Sequence, residues 1–175
     1  MSFLDKIAST LAPTASKEDR LEARQKAKTL AKPGDWLDQI ITHHEQIEAA
    51  FERAWQAPDA QGKHKAAKEL GELLTGHSIA EEVAIYPDVV EDSKAHGAMA
   101  YQEQQMAKIN FAKLEKLDPM SDDWREKLEH IQSAVQQHVY QEEDSWYPDI
   151  IRKASMAENA RMTERYREEA GRYFG

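Results

Sequence analysis

Two stretches of this chain carry the same polar residues at the same spacing. His77-Ser78-Ile79-Ala80-Glu81-Glu82 is followed by Tyr86-Pro87-Asp88, and His138-Val139-Tyr140-Gln141-Glu142-Glu143 is followed by Tyr147-Pro148-Asp149. Both read H-x-x-x-E-E-x-x-x-Y-P-D, an internal repeat that implies two related helix pairs. Residues i and i+4 of a helix lie one above the other on the same face. His77 and Glu81 therefore present an imidazole nitrogen and a carboxylate to one point in space, and His138 and Glu142 do so from a second helix. A carboxylate can bridge two cations while each imidazole binds one. Two such pairs facing each other across a bundle make a two-metal cage. The plainer reading, satisfied core histidines beside surface glutamates, would bury four polar groups without an ion, and that is costly.

Two further segments extend the donor set. His44 falls on the apolar stripe of Leu37, Ile41 and Phe51, with His43 at its edge. Counting about 1.5 Å per residue along the helices brings His44 and His77 to one height, so His44 is the expected ligand and His43 stands behind it. The same counting from Glu81 lands on the next helix near Glu103 and Gln104. Glu103 is the expected ligand there and Gln104 a weaker candidate, while His96 falls roughly one and a half to two turns away. His64 and His130 lie far from this level and are expected at the surface.

Helices must position these residues, and the apolar periodicity supplies them. The first runs from Trp36 to about Gln56 through Leu37, Ile40, Ile41, Ile47, Phe51 and Trp55. The second runs from about Lys63 to Val90, with Pro87 expected to kink or loosen its end. The third spans about Lys94 to Leu117, with Met99, Ala100, Ala107, Phe111 and Leu114 inward. The fourth spans about Asp122 to Arg152 through Leu128, Ile131, Val135, His138 and Ile150. Breaks at Lys32-Pro33-Gly34-Asp35, Ala57-Pro58-Asp59, Glu91-Asp92-Ser93 and Asp118-Pro119-Met120-Ser121 separate them, Asp35 and Ser121 being N-caps. No window alternates with period two. The fold class is all-α, an up-down-up-down four-helix bundle over 35–153. A helical N-terminal arm over 1–34 holds an amphipathic piece (Phe3, Leu4, Ile7, Leu11) and a mixed-charge piece (Ser16 to Ala31). A C-terminal helix over 154–175 carries Met162, Tyr166 and Tyr173. The arms are expected to cover the bundle or to make a homodimer contact, surface helices of no special role being the commoner outcome.

Composition narrows the function classes. A chain of 175 residues suits one domain with a core large enough to fold alone. The absence of cysteine removes disulfides, Cys-ligated zinc, iron–sulfur clusters and thiol catalysis together. A formal charge of −9 argues against a nucleic-acid partner and is of the sign that bound cations would offset. No stretch approaches the roughly 20 apolar residues of a membrane span, so no membrane partner is expected. Met1 to Ala12 lacks the basic-then-apolar order of a secretory signal. The cytoplasm is the default compartment.

The pattern resembles the hemerythrin-like, HHE cation-binding family. The resemblance is carried by His44 followed by Ile47 and Phe51, by His77-x-x-x-Glu81-Glu82 followed by Tyr86-Pro87, by Glu103 through Leu114, and by His138-x-x-x-Glu142-Glu143. It covers about Trp36 to Arg152 and implies a non-haem di-iron centre. His44, His77 and His138 would match metal-binding histidines, and Glu81 and Glu142 the bridging carboxylates. The family commonly has a histidine on its third helix, often just after a Glu, where this chain reads Glu103-Gln104. A centre richer in oxygen ligands favours harder or more oxidised ions. That argues against reversible oxygen transport and leaves manganese, or a mixed iron–manganese pair, as alternatives to two iron ions. The implied function is to bind or react with dioxygen, peroxide or nitric oxide in a sensing, scavenging or oxidase role. The alternatives are a metal-dependent oxidoreductase acting on an organic substrate, served by groups such as His43, Tyr86, Tyr101, Tyr140, Trp146 and Tyr147, and a non-enzymatic iron-storage or structural metal module.

Overall fold

The computed structural model describes residues 15–174. Helix α1 (Lys17–Leu30) is followed by α2 (Trp36–Gln56), α3 (Ala60–Ala84), a short α4 (Tyr86–Asp92), α5 (Lys94–Leu114) and α6 (Asp122–Gln141). A π-helical turn (Glu142–Trp146) then leads into α7 (Tyr147–Lys153) and α8 (Met156–Ala170). There is no strand among the described residues. The helix starts are written in the sequence. Asp35, Asp59, Ser93 and Ser121 each accept a backbone N–H of the first turn. Ser16 and Ser155 form full capping boxes with Asp19 and Glu158, each cap contributing about 1 kcal/mol.

Two of the expected long helices are interrupted, both at the Tyr-Pro-Asp of the repeat. A proline inside a helix lacks the N–H for the previous turn and crowds the carbonyl four residues back. In the first copy the chain breaks at Ile85, so the helix expected to reach Val90 becomes α3 and α4, with Pro87 in the first turn of α4. In the second copy the helix is not broken but wound more loosely through the π turn, and Pro148 opens α7. Bulges of this kind are common where side chains must be re-aimed at a functional site.

The long helices α2, α3, α5 and α6 form the bundle, and the other elements pack on it. Its interior has two apolar layers. One holds Ile47, Phe51, Leu70, Phe111, Leu114, Trp124 and Leu128. The other holds Trp36, Leu37, Ile40, Ile85, Tyr86, Tyr147 and, from α8, Met162 and Tyr166. His77, Glu81, His138, Glu142 and Glu143 of the repeat fall on the helices between these layers and are buried. Met99, expected inward, is 42% exposed. Its neighbour Gly97 faces inward instead, because α4 and α5 approach so closely that an added Cβ would come within 2.3 Å of Val90 Cγ2. Helix α1 is applied to the bundle through buried Ala23, Arg24 and Ala27, and α8 through Met162, Tyr166 and Ala170. Tyr173 is half exposed. The amphipathic piece at Phe3, Leu4, Ile7 and Leu11 lies outside the described residues. No helix is long and apolar enough to cross a membrane among those described.

Candidate metal centre

Four helical segments aim polar groups into the layer between the two cores: His44 from α2, His77 and Glu81 from α3, Gln104 from α5, and His138 and Glu142 from the end of α6 and the start of the π turn. His44, Glu81 and Glu142 are 0% exposed. One donor atom from each of His44, His77, Glu81 and Glu142 lies within 4.8 Å of the other three. His77 Nε2 stands 3.2 Å from Glu81 Oε2, the i,i+4 pairing that the repeat specifies. Across the bundle, His44 Nε2 stands 3.4 Å from Glu142 Oε2 and 3.9 Å from Glu81 Oε1. The His44 and His77 rings are 4.8 Å apart, so the two helices do meet at one height.

His138 lies on the other side of the Glu142 carboxylate, its Nε2 3.2 Å from Glu142 Oε1. Glu142 thus offers one oxygen toward His44 and the other toward His138. The Tyr86 hydroxyl joins this second group, 3.0 Å from His138 Nε2 and 2.9 Å from Glu142 Oε1. The Gln104 amide closes it at 2.6 Å from the Tyr86 hydroxyl and 2.7 Å from Glu81 Oε2. Tyr147 donates to both carboxylates, at 2.5 Å to Glu81 Oε1 and 2.7 Å to Glu142 Oε1. The π turn makes the last contact possible. In an α-helix residues five apart point about 140° away from each other, whereas the wider turn stacks Tyr147 over Glu142.

Behind the histidines a further set of groups holds their outer nitrogens. His44 Nδ1 stands 2.8 Å from Glu143 Oε1. Glu143 is buried, and the guanidinium of Arg24 on α1 donates to it from Nε at 3.0 and 3.1 Å. His138 Nδ1 stands 2.7 Å from Glu103 Oε2. His77 Nδ1 and His43 Nδ1 both meet the hydroxyl of Tyr166 on α8, at 3.2 and 2.7 Å, and Phe174 stacks on the His43 ring at 4.0 Å. An outer nitrogen held by a carboxylate or hydroxyl fixes the imidazole tautomer and leaves Nε2 to face inward, the usual setting of a metal-binding histidine.

The charges in this layer are unevenly placed. Burial works against a protonated His44, but Glu142 and Glu143 outweigh it and raise its pKa to about 9. His138 is raised as well: burial opposes its charge and Glu142 and Glu103 prevail. His77 has no such excess of carboxylates, and burial with the nearby His44 charge holds it neutral. Burial and the neighbouring Glu142 lift Glu81 to about 8. Glu142 stays ionised, because His138 and His44 outweigh its burial. Burial also opposes the Arg24 charge, but Glu48 and Glu143 raise its pKa overall.

The donor set suits a divalent or trivalent cation of borderline to hard character, since imidazole and carboxylate are the ligands such ions take. The pattern of unmet polar atoms agrees. His44 Nε2, Glu142 Oε2 and Gln104 Oε1 are buried without any hydrogen-bond partner, although native proteins satisfy nearly all such atoms. Two of them, His44 Nε2 and Glu142 Oε2, belong to the four-residue donor group itself.

Of the residues expected from sequence, His44, His77, Glu81 and Glu142 converge in one group, and His138 stands across Glu142 from His44. Glu103 reaches the layer from behind His138 rather than from within it. Gln104, the weaker candidate on that helix, is the one that enters. His43 sits behind His77 at 6.1 Å between rings. His96 stacks on Trp146 outside the cluster, and His64 and His130 are exposed. The sequence reading gave no role to Glu143, Arg24 or Tyr166. Glu143 was visible as the second glutamate of a repeated motif. Arg24 had a fainter signal, a long cation between the small residues Ala23 and Ala27 of an otherwise polar helix.

The family model for the hemerythrin HHE cation binding domain matches residues 35–168, taking in the bundle and most of α8 and leaving α1 outside. No curated protein and no solved structure matches the chain.

Proposed function

We propose, because the chain belongs to the hemerythrin HHE cation-binding family and buries its donors between two apolar layers, that it holds two iron ions and binds or reacts with dioxygen, peroxide or nitric oxide. His44, His77, Glu81 and Glu142 would hold one ion. His138 and Glu142 would hold the other, with Glu81, Gln104 and the Tyr86 hydroxyl beside it. The observation that carries this reading is Glu142: its two oxygens lie 3.4 Å from His44 Nε2 and 3.2 Å from His138 Nε2, so this one carboxylate would serve both groups of donors. When bound, the ions supply Lewis acidity and exchangeable electrons for a small molecule at an open position.

The protein's own part follows from its contacts. Glu143, Glu103 and Tyr166 orient the histidines. Tyr147 and Tyr86 hold the two carboxylates and are hydroxyl donors within the site. Burial of every donor limits access to molecules of a few atoms. The groove between α3 and α5, about 170 Å³ and lined by Gly71, Leu74, Ser78, Lys108 and Phe111, includes none of the donors. A small diatomic or peroxide is therefore favoured over an organic substrate. Glu103 serves in this reading as the acceptor that orients His138.

The test is the metal content and optical spectrum of protein purified without chelator, before and after exposure to oxygen and peroxide. About two irons per chain, with a near-ultraviolet ferric band that responds to oxidant, is the expected result. Two irons that do not respond would move the function to storage or structure. Zinc or manganese in their place would keep the ligands and discard the oxygen chemistry.

A further inference from the structure

Helix α1 lies before the first residue of the family match, yet it delivers a buried cation to the edge of the centre. Arg24 is 8% exposed. Its Nε donates to both oxygens of Glu143, while Nη1 and Nη2 clamp Glu48 at 2.9 and 3.0 Å. Glu143 is 1% exposed and has His44 Nδ1 as its other partner. Three side chains from three elements thus form one file, Arg24 to Glu143 to His44, ending at a nitrogen of the donor group. The corresponding glutamate of the first repeat, Glu82, has no such burial and pairs with Lys108 at the bundle's edge.

A buried carboxylate must find its positive charge nearby. Without Arg24, Glu143 would lose the guanidinium that aims its carboxylate, and the His44 ring would lose the fixed partner of its Nδ1. With Arg24 in place, Glu143 Oε1 stands 2.8 Å from His44 Nδ1, and the ring turns Nε2 toward Glu81 and Glu142. The fork geometry of the guanidinium also fixes where the carboxylate points.

We propose that Arg24 is a positioning residue of the metal centre, through which docking of α1 sets the cation affinity at the His44 position. This rests on the metal-binding reading above. Linkage makes the effect reciprocal: if docked α1 favours the cation, the bound cation favours docked α1.

The experiment is an anaerobic competition titration of the full chain with ferrous iron, for the wild type, Arg24→Met, Arg24→Lys and Lys28→Met. It is paired with amide hydrogen exchange of wild-type α1 with and without ferrous iron. The removal of groups that hold a ligand in place costs about 10- to 100-fold in metal affinity. Arg24→Met should lose that much in one of the two binding steps and leave the other within about threefold, and Arg24→Lys should recover part of it. Lys28→Met removes the exposed tie of α1 to Glu45 and should bind like the wild type. Exchange of the amides around Arg24 should slow on loading. If Arg24→Met folds and binds both ions as the wild type does, the proposal is wrong and Arg24 is a packing residue. If Arg24→Met does not fold, unchanged exchange of α1 on loading the wild type overturns the proposal. A wild type that takes up no ferrous iron overturns the metal-centre reading and this inference together.

Discussion

The two copies of the repeat begin from identical residues and end in opposite electrostatic states. In the copy on α3, His77 is held neutral and Glu81 is raised to about 8. In the copy at the end of α6, His138 is held protonated and Glu142 ionised. The motif spacing is the same, and so is the His–Glu distance of 3.2 Å in both copies. The difference lies in what each copy meets. His77 has a neutral phenol behind it, from Tyr166, and His138 has the Glu103 carboxylate. Glu82 ends among solvent and Lys108, and Glu143 ends buried between His44 and Arg24. Spacing along a helix places the donors, whereas the helices packed around them decide which protons they keep.

The strongest blow to that comparison falls on the two carboxylates proposed to bridge. Glu142→Ala should lose tight binding at both positions, since Glu142 faces His44 and His138 alike. Glu81→Ala should lose at least one ion per chain, as read by metal analysis after gel filtration. If both variants keep two tightly bound metals, the constellation is wrong.

Acid should act next. His44 at about 9, Glu81 at about 8 and the raised His138 all carry a proton at pH 7 in the metal-free protein. A cation must displace those protons. Affinity should therefore rise with pH from about 6 to 8, by up to about tenfold per pH unit for each proton released. Calorimetry in buffers of different ionisation enthalpy counts them directly, and loading without proton release would contradict the charge assignment.

Exchanging the paired glutamates sharpens the contrast between the copies. Glu143→Gln should weaken one binding step about 10- to 100-fold, while Glu82→Gln should change neither step by more than about twofold, because its ion pair is partly exposed. Equal effects in a titration would show that the copies are interchangeable after all. Smallest are the two groups behind the histidines. Tyr166→Phe should cost on the order of 1 kcal/mol at the His77 position, the loss of a hydrogen bond. Glu103→Ala should weaken the His138 position by a few-fold and spare the other, a split visible in the stepwise constants.

The bundle was legible because its signals are local. Apolar periodicity and the caps at Asp35 and Ser121 set α2 and α6, and the i,i+4 rule placed His77 with Glu81 and His138 with Glu142. Axial counting brought His44 to the height of His77. It was less discriminating on α5, where Glu103 and Gln104 are adjacent and only the rotation of the helix decides which enters. The break at Ile85 and the π turn at Glu142 were hidden because proline announces a disturbance but not its form. Arg24 and Tyr166 were out of reach for another reason. Each contacts the site across 119 and 89 residues of sequence respectively, and no local pattern encodes which face of a terminal helix will dock.

Those two contacts have a consequence for the order in which the molecule is made. The layer of donors is bounded by Arg24 near the start of the described chain and by Tyr166 on α8, the helix that leaves the ribosome after every other one described here. The shared hydroxyl over His43 and His77 is absent until that helix has emerged and docked. A nascent chain that has finished only the four bundle helices would present His43 and His77 without the partner of their outer nitrogens, whereas His138 would already have Glu103. The polar shell behind His43 and His77 is thus completed only by the last helix of the described chain, after the bundle that it covers.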